Sequence, residues 1–417
     1  MKPRLFTRNF TLLILGQASS LLGNYTLRFA LSMYVLEQTG SASAFAGMLA
    51  LAMLPTVLLS PLGGILADRA NRRNMMVALD ALSGLIVLGA GAAMTRGREL
   101  GVVGVLLVAL SALGAFESPT VQACIPQMLS AENLVKGNAM VNQVASIAAL
   151  LTPFLGSVFY TMFGLGPVFQ ATVACFFVTA FLECLIRLEY KKPGQTVKAA
   201  ALIKQDFTAS MHFLCREQPA ILKLLLLAAL VSLFVAGTAV VGFPYLVRTV
   251  LGLSAEHYGA AESAMGLASV LGSLCVAALA TTLRPRHLTV LFMVFGLCLI
   301  PCGAAFLLPA GTMARYWVLL VMFCICQFGC SIFSTYAISI IQGRTPEQLM
   351  GKVMAYVFTL SMCAQPVGQL LYGALFDCFS ANVYWVLFPS GLAVCGVGLA
   401  SASFFGKLEE RQEMPRH

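Results

Sequence analysis

Twelve long apolar segments, separated by short polar loops, constrain the fold of this sequence more than any other feature. Hydrophobic residues make up 59% of the 417 residues and charged residues only 10%, against about 25% charged residues in soluble globular proteins. So few charges cannot cover a water-facing surface, and a helix needs roughly 20 apolar residues to cross a bilayer. We therefore expect an all-α membrane protein with twelve transmembrane helices. The predicted spans are 10–36, 44–67, 75–95, 100–123, 137–162, 168–188, 220–250, 257–282, 288–308, 316–342, 351–379 and 384–405.

The positions of lysine and arginine predict the orientation of the chain. Of the 26 basic residues, the predicted outer loops hold only Arg96, Arg98, Arg248 and Arg315, and Arg28 lies within a span. Basic residues concentrate in the cytoplasmic loops of membrane proteins. The sequence therefore predicts a multi-pass protein of the cell (inner) membrane with both termini in the cytoplasm. The same rule accounts for the net charge of +9, so we expect the lipid bilayer, and no nucleic acid, as a partner.

Sequence patterns for catalysis and cofactor binding are not found. The 13 cysteines lie mostly inside apolar spans, and no CxxC pair recurs at metal-ligand spacing. There is no glycine-rich loop that ends in Gly-Lys-Ser/Thr and no Gly-x-Ser-x-Gly nucleophile turn. We therefore expect no cofactor, no metal site and no enzyme activity.

One long polar segment, 190–219, divides the chain into halves of similar length. It predicts an N-terminal six-helix bundle (1–189), a cytoplasmic linker (190–219) and a C-terminal six-helix bundle (220–417). Within the linker, residues 203–216 form either an amphipathic helix on the membrane surface or a solvated connection.

A weak internal repeat supports this division. Tyr-Val-Leu at 34–36, followed by Gly47, matches Tyr-Leu-Val at 245–247, followed by Gly259. Parallel repeats of this kind are related by an axis along the membrane normal in several transporter folds. We therefore expect the two six-helix bundles to be pseudo-symmetric.

The most specific local pattern is the segment 64–73, which joins the second and third spans. It reads Gly-Ile-Leu-Ala-Asp-Arg-Ala-Asn-Arg-Arg. Asp68 can pair with Arg72, while Arg69, Arg72 and Arg73 can meet helix C-termini or lipid phosphates. This combination of an acid, a tight turn and a basic cluster predicts a charge latch.

The same segment resembles the signature of the major facilitator superfamily. In that signature a glycine, three residues, an aspartate, a basic residue, any residue, a glycine and two basic residues follow one another. Gly64 and Asp68 match it, and Asn71 replaces the second glycine. We expect Asn71 to adopt the left-handed backbone of a tight turn, which asparagine tolerates. The resemblance implies that Asp68, with Arg72 as its partner, locks against the cytoplasmic start of the eleventh span when the protein opens outward.

Other segments resemble the macrolide-efflux and enterobactin-exporter branch of that superfamily. They are 9–17, 22–24, 117–119 and 351–355. Members of the branch often carry an acid where this chain has Asn24. The resemblance implies export of small amphiphilic molecules, including antibiotics, siderophores and some lipids.

Polar side chains inside the spans are candidates for a substrate or proton site, because burying them in lipid is costly. Gln17, Asn24 and Arg28 share one face of the first span. Arg28 binds an anionic substrate group or tunes a carboxylate, or else it pairs with a buried acid or extends toward the membrane surface. Glu117 binds a cationic substrate or a proton, or else it pairs with Arg28 or caps a proline kink. Glu262 is either a protonatable group or part of the outer vestibule. The remaining candidates, which either bind substrate or hydrogen-bond between helices, are Asn142, Gln327 and Gln365.

Two further carboxylates lie close to helix ends. Glu183 and Arg187 are four residues apart near the inner end of the sixth span, which predicts a local ion pair. Asp377 lies near the outer end of the eleventh span, where we expect it to be solvated.

Together these patterns predict a monomeric secondary transporter that works by alternating access. The leading hypothesis is proton-coupled export of an amphiphilic small molecule such as a drug, a macrolide or a siderophore. An importer of a nutrient or lipid with the same fold is one alternative. A membrane receptor or scaffold that transports nothing is the other.

Overall fold

Twelve long helices make up most of the part of the chain that the structure describes. The computed structural model describes residues 5–94, 98–130, 133–188, 216, 218–279, 282–345 and 347–413. Within these ranges it contains no strand. The helices are α1 (Arg8–Thr39), α2 (Ala42–Arg69), α3 (Arg72–Ala93), α4 (Glu99–Met128), α5 (Leu134–Phe163), α6 (Leu165–Cys184), α7 (Pro219–Val250), α8 (Ala255–Ala278), α9 (His287–Leu307), α10 (Thr312–Arg344), α11 (Glu347–Cys378) and α12 (Tyr384–Glu413).

Each predicted span coincides with one helix, so the prediction of a twelve-helix, all-α membrane protein is confirmed. Among the described residues, ten helices are long and apolar enough to cross a membrane, and α1 and α11 are the other two. Large apolar side chains lie on the outside of the helices: Leu58 of α2 is 70% exposed and Phe181 of α6 is 65% exposed. A surface of this kind is favourable against lipid tails and unfavourable in water. The protein is a multi-pass membrane protein.

The sequence sets the helix ends with ordinary capping residues. Thr7 precedes α1, and its hydroxyl oxygen accepts a hydrogen bond of 3.2 Å from the backbone N–H of Phe10. The helix ends at Gly40, whose backbone is left-handed (φ 58°) and whose N–H donates to the carbonyl oxygen of Leu36 at 2.9 Å. These caps allow α2 to begin two residues later.

Equivalent helix pairs pack in the two halves of the sequence. In the first half, α1 packs against α5 and α6, and α3 packs against α4 and α6. In the second half, α7 packs against α11 and α12, and α9 packs against α10 and α12. The second set is the first set moved six helices along the chain. This repetition agrees with the repeat predicted from the sequence.

Small residues and hydroxyl groups hold α1 and α6 close together. The Thr179 hydroxyl donates to the carbonyl oxygen of Gly16 at 3.0 Å, and the Thr172 hydroxyl donates to that of Gly23 at 3.2 Å. A methyl group added at Gly23 would lie 2.8 Å from Cβ of Cys175, so this crossing requires a glycine. Small residues and interhelical hydrogen bonds are typical of helix contacts in membranes. The close packing of α1 against α6 is therefore a main contact within the first half of the fold.

Contacts divide the chain into two compact units, which we call unit 1 and unit 2. Unit 1 comprises Met1–Gly40, Gly47–Gln195 and Leu253–Ser263, and unit 2 comprises Ser41–Ala46, Thr196–Gly252 and Ala264–His417, in each case as far as the residues are described. The predicted linker, 190–219, lies outside the described residues except for 216, 218 and 219, and so does nearly all of the predicted surface helix 203–216. The predicted bundle boundaries therefore stay a prediction.

In unit 2, Asp377 of α11 caps the N-terminus of α2. Its Oδ1 accepts a hydrogen bond from the N–H of Ala42 at 2.7 Å, and its Oδ2 accepts from the Ser41 hydroxyl at 2.6 Å and the N–H of Ser43 at 3.0 Å. The first N–H groups of a helix have no partner within the helix, and a carboxylate suits the positive end of the helix dipole. The expectation that Asp377 is simply solvated is therefore wrong.

Candidate functional site

Two arginines of the predicted latch hold the ends of three helices. Arg72 Nε donates to the carbonyl oxygen of Ala67 at 2.9 Å, and Arg72 Nη1 donates to that of Ala123 at 2.7 Å. Arg73 Nη2 donates to the carbonyl oxygen of Cys184. These carbonyls lie near the C-terminal ends of α2, α4 and α6, where the helix dipole favours a positive charge. The prediction that basic residues of this segment meet helix C-termini is confirmed for Arg72 and Arg73.

Other residues of the predicted latch differ in what the structure says of them. Asp68 and Arg69 lie in the last turn of α2, but their side chains fall outside the described residues, so the latch role stays a prediction. Asn71 has a φ of −70°, and the expected left-handed backbone is therefore wrong. Its side-chain oxygen accepts a hydrogen bond from the N–H of Asn74 at 3.2 Å and caps α3. Because a cap needs a side-chain oxygen, asparagine has a positive role where the signature has glycine.

Two adjacent glycines near the latch have different surroundings. A methyl group added at Gly64 would meet no atom within 4 Å. A methyl group added at Gly63 would collide with the carbonyl oxygen of Ala115 and lie 3.1 Å from Cα of Phe116. The close crossing of α2 and α4 therefore depends on Gly63. Sequence analysis had selected only Gly64, which the signature contains.

The polar face of α1 has uncharged partners in the C-terminal part of the helix. Arg28 Nε donates to Oδ1 of Asn24 at 2.9 Å, and Arg28 Nη2 donates to the Ser111 hydroxyl at 3.0 Å. The side chain of Arg28 is partly buried, and Ser111 of α4 is buried. Among the described residues, the hydrogen bonds of Arg28 therefore do not include Glu117, which had been one of its two expected partners.

Three carboxyl groups converge inside unit 1. They belong to Asp80 of α3, Glu117 of α4 and Glu183 of α6, and we call them the carboxyl triad. Asp80 and Glu183 are both 0% exposed. The Ser20 hydroxyl of α1 lies 3.0 Å from Oδ1 of Asp80 and 3.5 Å from Oε1 of Glu117, so one donor is shared between two acids. Asp80 also lies beside both Glu117 and Glu183.

Several polar atoms of the triad have no hydrogen-bond partner among the described residues. These atoms are Oδ2 of Asp80 and both side-chain oxygens of Glu183. Gln17 of α1 lies beside Glu117, and its buried Nε2 also lacks a partner. The predicted ion pair between Glu183 and Arg187 is therefore wrong: α6 ends at Cys184, so Arg187 is not on the next helical turn.

Glu262 lies on α8, apart from the triad, in the segment of α8 that belongs to unit 1. The hydroxyl group of Tyr258, one turn earlier, donates to its carboxylate. The ring of Tyr258 stacks on Phe29 of α1 with 5.4 Å between the ring centroids. Oε2 of Glu262 has no hydrogen-bond partner among the described residues. The neighbour of the Glu262 carboxyl group is thus the hydroxyl group of a tyrosine, whereas the carboxyl groups of the triad are neighbours of one another.

Unit 2 contains a polar cavity of about 390 Å³. Gln327 of α10 and Gln365 of α11 both line it, so the structure brings these two predicted residues together. Asn142, by contrast, is exposed on α5 and does not line this cavity. The hydroxyl and thiol groups of the lining belong to Ser232, Ser269, Ser273, Cys330, Ser331, Ser334 and Thr335, and the apolar part consists of Val231, Val235, Ala236 and Val240.

The hydroxyl groups of this cavity are fixed by a short chain of hydrogen bonds. The hydroxyl oxygens of Ser273 and Ser331 are 2.7 Å apart, and the Ser331 hydroxyl lies 2.6 Å from the carbonyl oxygen of Ser269. No charged residue is among the described residues that line the cavity. These residues offer amide and hydroxyl groups to a ligand, together with an apolar wall, and none of them is an ion-pair partner for it.

One wall of the cavity is a stretch of π-helix within α7. The π-helix spans Ala236–Gly242, and both Ala236 and Val240 line the cavity. Two glycines of this stretch allow aromatic rings to pack on it: a methyl group at Gly237 would lie 2.5 Å from Cγ of Tyr372, and one at Gly242 would collide with the ring of Phe376. Short π-helical segments occur frequently at functional sites. Sequence analysis missed this stretch, because its residues have the same apolar pattern as an α-helix.

The described residues contain no group of three or more His, Cys, Asp or Glu side chains arranged to hold a metal ion. This holds for the carboxyl triad as well. The triad atoms that lack a hydrogen-bond partner are therefore not arranged as ligands of a metal ion.

Comparison with models of protein families assigns the chain to a superfamily. The sequence model of the Major Facilitator Superfamily matches residues 13–369. The chain belongs to this superfamily. It is a secondary transporter of a small-molecule substrate and not an enzyme.

Curated relatives of the chain include two kinds of exporter. Macrolide efflux protein A of Streptococcus pyogenes is 24% identical over 390 residues, which cover 91% of this chain and 92% of that protein. Enterobactin exporter EntS of Citrobacter koseri is 26% identical over 364 residues, which cover 85% of this chain and 81% of that protein. The resemblance to the branch that contains these exporters is thereby confirmed.

Solved structures share the fold at low sequence identity. A bacterial homologue of the iron transporter ferroportin in an inward-facing state has a TM-score of 0.72 and 19% identity, and covers 96% of this chain and 98% of its own. The nucleoside transporter NupG has a TM-score of 0.73 and 12% identity, and covers 96% of this chain and 100% of its own. At these identities the likeness establishes the fold alone.

Proposed function

We propose that this transporter exports a small amphiphilic molecule and that the proton gradient drives the export. The observation that carries the proposal is the cavity of unit 2, with its apolar wall and its amide and hydroxyl groups. Its volume of about 390 Å³ falls within the range of pockets for small molecules, roughly 300–1,000 Å³. The direction of transport is supported by the two exporter relatives.

The lining of the cavity favours a substrate with an apolar body and hydrogen-bonding groups. Gln327 and Gln365 each provide a donor and an acceptor, and Val231, Val235 and Val240 provide the apolar contact. A largely uncharged amphiphile matches these groups. A charged group of the substrate would have to bind outside this cavity. For an anionic group, our candidate is Arg28 on the polar face of α1.

The drive by protons is supported by carboxyl groups inside the helices. Glu117 and Glu262 lie in helices that cross the membrane, and neither carboxyl group is paired with a basic residue among the described ones. Ionisable residues at such positions commonly serve in proton relays. A proton taken up by one of them changes the charge of the protein's interior and can be coupled to substrate movement.

The remaining parts of the proposal concern topology and gating. We place the protein in the cell (inner) membrane as a monomer, with both termini in the cytoplasm, on the distribution of lysine and arginine. We infer that two six-helix bundles, 1–189 and 220–417, carry out alternating access. Asp68 is assigned as the gating latch, since Arg72 and Arg73 already fix the helix ends around it.

The test is accumulation of dyes, macrolides and siderophores in energised cells that express the protein, with and without a protonophore. Expression should lower the accumulation of at least one compound, and the protonophore should restore it. Gln327→Ala and Gln365→Ala should each weaken export. Gln170→Ala is the matched control, because Gln170 lines a separate groove of about 510 Å³ in unit 1.

Three outcomes would contradict the proposal. Unchanged accumulation across the panel, with the protein present in the membrane, argues against export of such compounds. Accumulation that rises on expression favours import. Export that is weakened by Gln170→Ala but not by Gln327→Ala or Gln365→Ala would move the substrate site to unit 1.

A further inference from the structure

We propose that Asp80, Glu117 and Glu183 form a single proton-binding site, and that the proton exchanged during transport is held by this triad. The proposal rests on the proton-coupled export proposed above and assigns the coupling to specific residues. None of the three lies in the signature segment 64–73, and sequence analysis selected only Glu117 among them as a candidate for a proton site. Glu262, the other candidate, lies outside the site.

The first argument is the convergence of separate helices on one buried point. Asp80, Glu117 and Glu183 lie on α3, α4 and α6, and Ser20 and Gln17 approach from α1. Asp80 and Glu183 are wholly buried, while Ser20 is 2% and Gln17 7% exposed. These side chains come from four helices, and Ser20 and Glu183 are more than 160 residues apart in the sequence. The local pattern of a single helix cannot bring them to one point.

The second argument is a shortage of hydrogen-bond donors. An ionised carboxylate only accepts hydrogen bonds, and a hydroxyl group has one hydrogen to donate. Ser20 can therefore serve either Asp80 or Glu117 at one moment. Both oxygens of Glu183 and Oδ2 of Asp80 have no donor among the described residues. A proton on Glu183 or Asp80 provides the missing donor, because the two carboxyl groups lie side by side.

The third argument is the repulsion of like charges. Carboxylates that share a buried site resist being ionised together, because each negative charge raises the free energy of ionising the next. Three arginines of unit 1 have other partners among the described residues: Arg28 binds Asn24 and Ser111, Arg72 binds the carbonyls of Ala67 and Ala123, and Arg73 binds the carbonyl of Cys184. At least one proton therefore resides in the triad whenever the structure has this form.

The surrounding titratable groups are few. Tyr25 of α1 lies close enough to interact electrostatically with both Glu117 and Arg28. Cys124 of α4 and Cys184 at the end of α6 interact in the same way with Glu183, and Arg72 interacts with Cys124. Neutral tyrosine and thiol groups do not compensate an additional negative charge. Loss of the shared proton would leave an unpaired anion, which the unit can accommodate only by admitting water or by moving a helix.

The link between the triad and substrate movement runs through α1. This helix carries Ser20 next to the triad and Asn24 and Arg28 on the same face. It is fastened to α6, which carries Glu183, by the hydroxyl-to-carbonyl bonds of Thr172 and Thr179. A change in protonation at the triad therefore acts on a rigid pair of helices and not on one side chain alone. The proton stays within this pair until the unit rearranges and then leaves to water.

The experiment uses the full-length protein in proteoliposomes and two readouts. The first is pH-difference infrared spectroscopy of the protonated-carboxyl band, which needs no substrate. The second is transport of radiolabelled erythromycin, driven either by an imposed pH gradient or by exchange without a gradient. The variants are Asp80→Asn and Glu183→Gln, which keep the size of each side chain. The matched control is Glu256→Gln, because Glu256 is exposed in the first turn of α8.

The wild-type protein should show a pH-dependent carboxyl band that Asp80→Asn and Glu183→Gln remove or shift and Glu256→Gln preserves. The two variants should lose transport driven by the pH gradient and retain exchange. If either variant aggregates, Ser20→Ala should still shift the band, because it removes the shared hydrogen bond without removing a carboxyl group.

Contrary outcomes separate this proposal from the function on which it rests. A carboxyl band that is the same in Asp80→Asn, Glu183→Gln and the wild type overturns the shared proton site. Gradient-driven transport that survives in both variants overturns the coupling role. A wild-type protein that shows the band but is not driven by the gradient refutes proton-coupled export of erythromycin, and with it the coupling role, while the proton site itself stands.

Discussion

Replacing Gly63 with alanine should destabilise the protein, whereas the same change at Gly64 should not. A methyl group at Gly63 collides with the carbonyl oxygen of Ala115 and lies 3.1 Å from Cα of Phe116. Both are backbone atoms, so no side chain can rotate out of the way, and α2 must move away from α4. At Gly64 the added methyl group meets nothing within 4 Å.

The expected magnitudes follow from two opposing terms. Alanine is favoured over glycine in a helix interior by about 1 kcal/mol, and both positions lie within α2. Overpacking that forces the backbone to shift costs about 1–3 kcal/mol. Gly64→Ala should therefore be neutral or stabilising by up to about 1 kcal/mol, and Gly63→Ala should lower the stability by up to about 2 kcal/mol after the helix term is subtracted.

The assay is the apparent melting temperature of the purified variants in one detergent, followed by size-exclusion chromatography after heating. The helix term is common to both variants, so their stabilities should differ by the overpacking cost of about 1–3 kcal/mol, which corresponds to roughly 2–12 °C for a unit of this size. Equal melting temperatures for Gly63→Ala and Gly64→Ala would refute the close crossing of α2 and α4 at Gly63. A greater loss for Gly64→Ala would reverse the assignment of the two glycines.

Two other contacts can be tested with the same melting assay. Asp377→Ala should lower stability by about 0.5–2 kcal/mol, the usual worth of a helix-capping side chain, and Asp377→Asn should lose less because one acceptor oxygen remains; equal losses would argue against capping. Gly237→Ala should destabilise unit 2, because its methyl group would lie 2.5 Å from Cγ of Tyr372. Combined with Tyr372→Leu, it should cost less than the sum of the two single changes, and strict additivity would contradict the packing of the ring on the π-helix.

Hydropathy was sufficient to predict the twelve helices. Length and apolar character decide where a helix crosses the membrane, because a helix satisfies all of its backbone hydrogen bonds within one segment and needs roughly 20 apolar residues to span the lipid. The helix ends differ from the predicted spans by a few residues, since caps such as Thr7 and Gly40 lie outside the apolar runs.

The site was less predictable, because it depends on contacts between helices. Glu117 was selected as a lone acid in an apolar run, and Asp80 could have been selected by the same criterion. Glu183 was assigned to Arg187 by helical spacing, which failed because α6 ends at Cys184. Gln327 and Gln365 were chosen as separate polar residues, and only the packing of α10 and α11 shows that they line one cavity.

The π-helix of α7 lets one wall of the cavity hold an additional residue. A π-turn holds one residue more than the α-turn it replaces, so a single deletion within Ala236–Gly242 could restore a regular helix without breaking it. The α-turn completes the same rotation with one residue fewer, so such a deletion would leave the C-terminal part of α7 facing its present neighbours, whereas a deletion in an α-helical part of α7 would turn it by about 100°. This wall of the cavity is thus a place where a related chain can be one residue shorter and still keep the rest of the helix in register.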